Sequence, residues 1–229
     1  MTGDANKIFV IVPCYNESCI IGNTIAALLQ QGYKVIVVDD GSNNNCREHF
    51  STMPVYYLQH TINLGQGAAI QTGIDFALLK GATYLVTFDA DGQHDVKDIR
   101  RMIDKLQAEK LEFVFGSRFL EGAQTNVDKT RKALLHISRF TNFFISGVLL
   151  SDSNNGLRVF TSAAANQIRI KENRRTHSSD IIYQIVKKKI KFGEAPVNVQ
   201  YSEYSRKKGI QNVEGISIFI NMLIYKFFR

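Results

Sequence analysis

The stretch Val86-Thr87-Phe88-Asp89-Ala90-Asp91-Gly92-Gln93-His94 decides how this chain is read. An apolar, β-branched run ends in two carboxylates one residue apart, followed at once by Gly and a polar amide. Residues i and i+2 of an extended segment project to the same side. Asp89 and Asp91 therefore converge just beyond the carboxyl end of a strand. Hard oxygen donors of this kind suit Mg²⁺ or Mn²⁺, ions that share their coordination with substrate phosphates. Asp-x-Asp-Gly is also ordinary turn chemistry, so the pair takes its meaning from what surrounds it.

Working outward, short apolar runs alternate with helical patterns. Residues 8–12, 34–38, 55–59, 84–88 and 113–115 read as strands, and 20–31, 66–80 and 95–108 carry helical periodicity. Such alternation predicts parallel strands with helical crossovers, an α/β doubly wound sheet. Ligands of these sheets bind at the carboxyl ends of the strands. Polar clusters stand at three such ends: Pro13-Cys14-Tyr15-Asn16-Glu17, Asp39-Asp40-Gly41-Ser42 and the Asp89/Asp91 pair. Their convergence on one edge is the strongest functional signal in the residues themselves.

Further on, 130–150 reads as a helix with a wide apolar face and Arg131, Lys132 and Arg139 among its polar residues. A turn is expected at 152–156, a helix at 178–189, a strand at 196–201 and a basic loop at 204–209. The segment 216–229 is apolar and aromatic, with Lys226 and Arg229 near its end. As a helix, 216–228 is about 20 Å long, too short for about 30 Å of hydrocarbon. It is expected in the membrane interface or against a partner, with Tyr225, Phe227 and Phe228 as anchors.

The 229 residues suit one sizeable domain. A formal net charge of +7 favours an anionic partner such as a nucleotide or a phospholipid surface. Cys14, Cys19 and Cys46 show no C-x-x-C pairing, so neither a disulfide framework nor a zinc site is indicated and a reducing compartment is expected. The polar start gives no secretory signal, and no run reaches the length of a membrane-spanning helix. The expected location is cytoplasmic, with membrane contact.

The three strand-end clusters resemble the signatures of family 2 glycosyltransferases, which have the GT-A fold. Gly116-Ser117-Arg118 and Asp152-Ser153-Asn154-Asn155-Gly156-Leu157-Arg158 resemble further motifs of the dolichyl-phosphate-mannose-synthase-like branch. The likeness runs from residue 8 to about 160. It implies a GT-A catalytic domain over 1–212, with a Rossmann-like, mostly parallel sheet flanked by helices, and an apolar, amphipathic C-terminal helix over 213–229. Pro13, Tyr15, Glu17, Asp39 and Asp40 would hold the base and ribose of a nucleotide-sugar. Asp89, Ala90, Asp91 and Gln93 would hold the donor diphosphate, with Asp89, Asp91 and Gln93 on the metal. Arg118 and Arg131 would meet an acceptor phosphate, Arg206 or its Lys neighbours the donor diphosphate, and Asp152 would act as base or orient the acceptor.

The branch implies inverting transfer to a polyprenyl phosphate, with UDP-GlcNAc or UDP-glucose as donor and undecaprenyl phosphate as acceptor. It also implies a peripheral place at the inner face of the cell membrane beside a small membrane protein, and is compatible with a homo-oligomer. The chain departs from the branch at Asn154-Asn155-Gly156-Leu157-Arg158, where a small residue, Ser, Gly, Phe and Arg are commoner, and is expected to be without the hydrophobic transmembrane hairpins that some members append.

Other readings are weaker. Asn63-Leu64-Gly65-Gln66-Gly67 precedes a helix, but Ile70 stands where a dinucleotide-binding motif needs its third Gly. Gly67 is expected instead in a turn lining the nucleotide pocket. A helix cap is expected of Ser178 or Ser179, and packing rather than nucleophilic chemistry of Cys14. Two alternatives stand beside lipid-phosphate transfer: extension of a growing glycan, which needs a carboxylate base, and a non-catalytic binding module. Basic and aromatic residues do not interleave as a nucleic-acid stacking platform requires, so no nucleic-acid partner is expected.

Overall fold

A computed structural model describes residues 7–17, 20–174 and 176–201. The expected basic loop with Arg206, the C-terminal helix and Cys19 lie outside the described residues.

In chain order the elements are β1 (Ile8–Cys14), α1 (Ile20–Gln30), β2 (Lys34–Asp39), a 3-10 turn (Cys46–Phe50), β3 (Tyr56–Gln59), α2 (Gln66–Leu79) and β4 (Tyr84–Thr87). Then come α3 (Lys97–Ala108), β5 (Phe113–Ser117), α4 (Lys129–Ser146), β6 (Arg158–Thr161), α5 (Ser162–Gln167), α6 (His177–Lys187) and β7 (Phe192–Pro196). The strands form one seven-stranded sheet in the order β3-β2-β1-β4-β6-β5-β7. All pairings are parallel except those of β6, which runs antiparallel to β4 and β5.

The apolar runs are explained by burial on both faces. Val10, Val12, Val35 and Val37 face a layer built on Ile21, Ile25 and Leu28 of α1 and Met102 and Ile103 of α3. Phe9, Ile11, Ile36 and Val38 point the other way, onto Ile70 and Ile74 of α2 and Ile181 and Ile185 of α6. Each such aliphatic side chain contributes about 1.5–3 kcal/mol when fully buried. The sheet order reverses between β1 and β4, which opens the crevice where doubly wound sheets bind ligands.

Three local expectations are corrected. The strand anticipated at 196–201 lies earlier, at Phe192–Pro196, and shares only Pro196 with the expected span, as suits a proline closing an edge strand. Beyond it the chain is a strap: the amides of Val197, Val199 and Gln200 donate to the carbonyls of Ser117, Gln124 and Gln93. The helix anticipated to Leu150 stops at Gly147, whose φ of 78° closes it. Finally, β6 falls where only a polar motif was read, because its four residues begin with an arginine and show no apolar periodicity.

The apolar face of α4 does not join the core. Its buried residues are Thr141, Asn142 and Ser146, while Ile137, Phe140, Phe143 and Phe144 are exposed.

Candidate functional site

Along the carboxyl edge, β1 leads into Cys14–Glu17, β2 into Asp39–Ser42 and β4 into Asp89–His94. The first turn is fixed by Asn16, whose φ of 52° suits asparagine better than most side chains. Its amide donates to Ser42 Oγ at 2.9 Å, and its Oδ1 accepts from the Asn43 amide at 2.9 Å. The first two clusters are thus laced together. Pro13 is buried on β1 opposite Val38, Glu17 is buried, and Tyr15 is 40% exposed at the rim.

Asp39 is 2% exposed and fully provided with donors. Oδ1 accepts from the Ser42 amide at 2.9 Å, and Oδ2 from the Tyr57 hydroxyl at 2.8 Å and Gln59 Nε2 at 3.5 Å. Burial pushes its carboxyl up, but the Ser42, Tyr57 and Cys46 hydrogen bonds outweigh that and hold it below the usual range. The Cys46 thiol lies 3.5 Å from Oδ2 and 3.8 Å from Cys14 Sγ. The Cys46 contact, reinforced by burial, pushes the Cys14 thiol up, which suits packing rather than nucleophilic chemistry. The two thiols and Asp39 place ligand atoms within 4.8 Å of one another, a closeness that sequence spacing does not reveal.

Asp40 and Gly67 turn to other work. Asp40 accepts from the amides of Leu64 at 2.9 Å and Gly65 at 2.7 Å, and pairs with His60 Nδ1 at 2.7 Å. Its carboxylate clasps the loop that starts α2. Gly67 donates its amide to the Asn173 carbonyl at 2.8 Å, and a β-carbon there would stand 2.2 Å from the Glu172 carbonyl oxygen. It packs against the segment before α6 rather than facing the cleft.

β4 ends at Thr87, so Asp89 and Asp91 stand at and in the turn beyond it rather than on an extended strand, close enough for the Asp89 charge to act on Asp91. Burial raises the Asp91 carboxyl, the neighbouring Asp89 charge raises it further, and it lies at about 6. Asp89 moves the other way: burial pushes it up, but the His94 hydrogen bond and the charges of His94, Arg158 and His177 outweigh that. Gln93 donates its amide to Asp91 Oδ1 at 3.2 Å and its side chain to Oδ2. His94 Nε2 lies 3.5 Å from Asp89 Oδ2, and Gln66 Nε2 donates to Oδ1 at 3.1 Å. Ala90 is buried, its carbonyl turned toward Thr24. Two neighbouring carboxylates whose charges repel one another fit a hard divalent cation at Asp89 and Asp91.

Arg118 and Asp152 meet each other rather than an open acceptor site. Arg118 Nε donates to Asp152 Oδ2 at 2.5 Å, Nη2 to Oδ1 at 3.3 Å, and Nη1 to the Tyr201 hydroxyl. Burial pulls the guanidinium down, while Asp152 and Tyr201 more than restore it. Both side chains are buried, and Asp152 also accepts from Asn155 Nδ2 at 3.4 Å. These contacts weigh against the expected roles, Arg118 on an acceptor phosphate and Asp152 as free base. Arg131 keeps its guanidinium 4.5 Å over the Tyr201 ring, half-buried at the lip beside them.

Arg158 was given no role from sequence. It is 2% exposed on β6 opposite Thr87, and burial lowers its guanidinium to about 10 against the attraction of Asp89 and Asp152. Nη2 donates to Ser178 Oγ at 2.7 Å, so Ser178 serves Arg158 instead of capping α6; Nε and Nη1 have no partner among the described residues. The motif hinted at this arginine, but only the antiparallel pairing of β6 puts its charge behind Asp89.

The glycosyl transferase family 2 model matches residues 9–169. The chain belongs to that family. A UDP-N-acetylglucosamine–dolichyl-phosphate N-acetylglucosaminyltransferase of Methanococcus voltae is 32% identical over 240 residues, covering 96% of each chain. A polyprenol monophosphomannose synthase of Mycolicibacterium smegmatis is 27% identical over 225 residues, covering 93% of this chain and 83% of its own. Both names belong to the branch that the motifs resemble. Glucosyl-3-phosphoglycerate synthase from Mycobacterium tuberculosis, solved with Mn²⁺, UDP and phosphoglyceric acid, superposes with a TM-score of 0.72 at 13% identity, over 96% of this chain and 78% of that one. This family 2 member accordingly has the GT-A architecture, with a mostly parallel sheet between helical layers.

Proposed function

We propose that this glycosyltransferase moves a sugar from a nucleotide donor to a polyprenyl phosphate. The observation that carries the reading is the juxtaposition of the Asp39 cradle and the Asp89/Asp91 pair at the β1/β4 crevice. The full-length likeness to the Methanococcus voltae enzyme supports the lipid-phosphate acceptor and favours UDP-GlcNAc over UDP-glucose as donor.

In this reading Asp39, with Pro13, Tyr15 and Glu17 around it, receives the nucleoside. Asp89 and Asp91, with Gln93 as helper, hold Mg²⁺ or Mn²⁺ at the donor diphosphate. When bound, the cation neutralises charge that develops on the leaving diphosphate. A cation about 4 Å away contributes about 4 kcal/mol of Coulomb energy at an effective dielectric near 20. Arg158 stays behind Asp89 and favours its ionised form, while Arg131 offers a cation at the rim to the incoming phosphate.

The engagement of Asp152 favours a phosphate acceptor over a glycan hydroxyl. A sugar hydroxyl needs a base to remove its proton during attack, whereas a phosphate oxygen is already ionised at neutral pH. Asp152 is held by Arg118 in a two-pronged pair and is poorly placed to take a proton. Attack by phosphate oxygen on the anomeric carbon, opposite the departing diphosphate, inverts that centre.

The test is incubation with Mn²⁺, a radiolabelled UDP-sugar panel, and dolichyl or undecaprenyl phosphate in detergent, counting label extracted into organic solvent. Extractable label from one donor supports the reading and names the sugar and lipid. UDP release only with a glycan primer would replace it by glycan extension. Membrane-face location and a small membrane-protein partner belong to the same proposal, and stimulation by native membranes stripped of peripheral proteins tests them.

A further inference from the structure

Parallel pairing sets Cys14, the last residue of β1, beside Asp39, the last residue of β2. The 3-10 turn after β2 returns Cys46, its first residue, to the same place. All three residues are buried, and their ligand atoms lie within 4.8 Å of one another. Two thiols and a carboxylate thus form a cluster that shares no residue with the Asp89/Asp91 pair.

The separations are those of a metal centre. Two sulfurs on one tetrahedral Zn²⁺, each at about 2.3 Å, stand about 3.8 Å apart, and a sulfur and a carboxylate oxygen about 3.5 Å apart. Cys14 Sγ and Cys46 Sγ are 3.8 Å apart, and Cys46 Sγ lies 3.5 Å from Asp39 Oδ2. The carboxylate is also oriented as ligating carboxylates are, by donors behind it. The Ser42 amide holds Oδ1 at 2.9 Å, and the Tyr57 hydroxyl holds Oδ2 at 2.8 Å.

Packing alone accounts poorly for this grouping, because thiols are weak hydrogen-bond donors and these two sit against an anion. The Cys14 contact lowers the Cys46 thiol against burial and the Asp39 charge. A cation takes its ligands deprotonated and neutralises the charge they then carry. Thiolates beside a carboxylate suit Zn²⁺, whereas Mg²⁺ and Mn²⁺ suit the oxygen donors of Asp89 and Asp91.

We propose that Cys14, Cys46 and Asp39 form a second cation site, selective for Zn²⁺, and that Zn²⁺ and the nucleoside exclude one another there. Three protein donors leave the fourth coordination position to water. The exclusion rests on the reading of Asp39 as the nucleoside cradle. A carboxylate committed to a cation no longer offers a free acceptor to a base N–H.

Co²⁺ reports on the site, since thiolate ligation gives an intense near-ultraviolet charge-transfer band that oxygen ligation does not. Reduced Cys19→Ser protein, whose remaining cysteines are Cys14 and Cys46, is titrated with Co²⁺ in excess Mg²⁺. The band grows to a single Co²⁺ per chain, is bleached by Zn²⁺, persists in Asp89→Asn/Asp91→Asn and is lost in Cys46→Ser. No band in the Cys19→Ser protein overturns the site, whether or not Cys46→Ser folds. So does a band that survives removal of both Cys14 and Cys46. Uridine has no diphosphate to chelate the cation, so its effect reads the exclusion: it bleaches the band, and Zn²⁺ abolishes the thermal stabilisation that uridine gives the metal-free protein. Uridine that stabilises the metal-free protein and leaves the band intact overturns the exclusion. Uridine that fails to stabilise the metal-free protein overturns the nucleoside reading and the exclusion with it, while the band still decides the cation site.

Discussion

A β-carbon on Gly156 would stand 2.0 Å from Asp89 Oδ2 and 2.5 Å from its Cγ. The carboxylate after β4 therefore rests on bare backbone of the loop that begins at Asp152. Thr87 secures the same meeting by donating its hydroxyl to the Gly156 carbonyl at 2.7 Å. The turn after β4 and the loop from Asp152 to Gly156 thus meet at one contact.

Gly156→Ala must push that carboxylate away. A displacement of about 1 Å at a reacting centre costs about 10²-fold in rate. We expect a loss of that order in kcat/KM and weaker Mn²⁺ binding, with far-ultraviolet circular dichroism unchanged. Wild-type turnover in the variant would show that Asp89 does not act from the position it holds here.

The Arg118–Asp152 pair predicts a stability effect rather than a purely catalytic one. Removing one partner of a buried ion pair costs about 3–5 kcal/mol, because the other charge is left uncompensated. Asp152→Ala should lower the urea midpoint accordingly, and Arg118→Met/Asp152→Leu should recover most of it. If Asp152→Asn kept full stability and abolished transfer, the carboxylate would be a base after all.

His177 sets a pH dependence. Burial, helped by the Arg158 charge, lowers its imidazole from 6.5 to about 4 in the folded protein. Its stabilising contribution is complete above pH 6.5 and is lost as pH falls toward about 4, since the unfolded chain binds the proton more readily. The full loss is about 3 kcal/mol. Asp91, raised to about 6, acts with opposite sign over much the same range, so the useful quantity is a difference. The gap in unfolding free energy between wild type and His177→Gln should shrink or change sign as pH falls from 6.5 to 4.

Metal removal should separate turnover from folding. Asp91→Asn relieves the repulsion with Asp89, so we expect the metal-free variant to be at least as stable as wild type while Mn²⁺-dependent transfer falls about 10²-fold or more. Chelation of the wild type should stop transfer with little change in melting temperature. A chelated protein that unfolds would make the cation structural.

Much of the sheet was legible because β1, β2, β4 and β5 are buried on both faces and must be apolar throughout. Strand β6 was not, since a short antiparallel strand opening with Arg158 has no periodicity to display. The strap after Pro196 was misread as a strand because its amides pair with three separate carbonyls instead of one neighbour.

The sequence by itself determined the alternation of strands and helices and the strand ends that carry polar clusters. These are local properties, set by backbone periodicity and by neighbours along the chain. The tertiary structure alone decided that Asp40 braces a loop, that Arg118 and Asp152 neutralise each other, that Arg158 lies behind Asp89, and that the phenylalanines of α4 face outward. Each depends on which distant group shares a small, poorly hydrated volume, and an ionised side chain there takes its role from that partner.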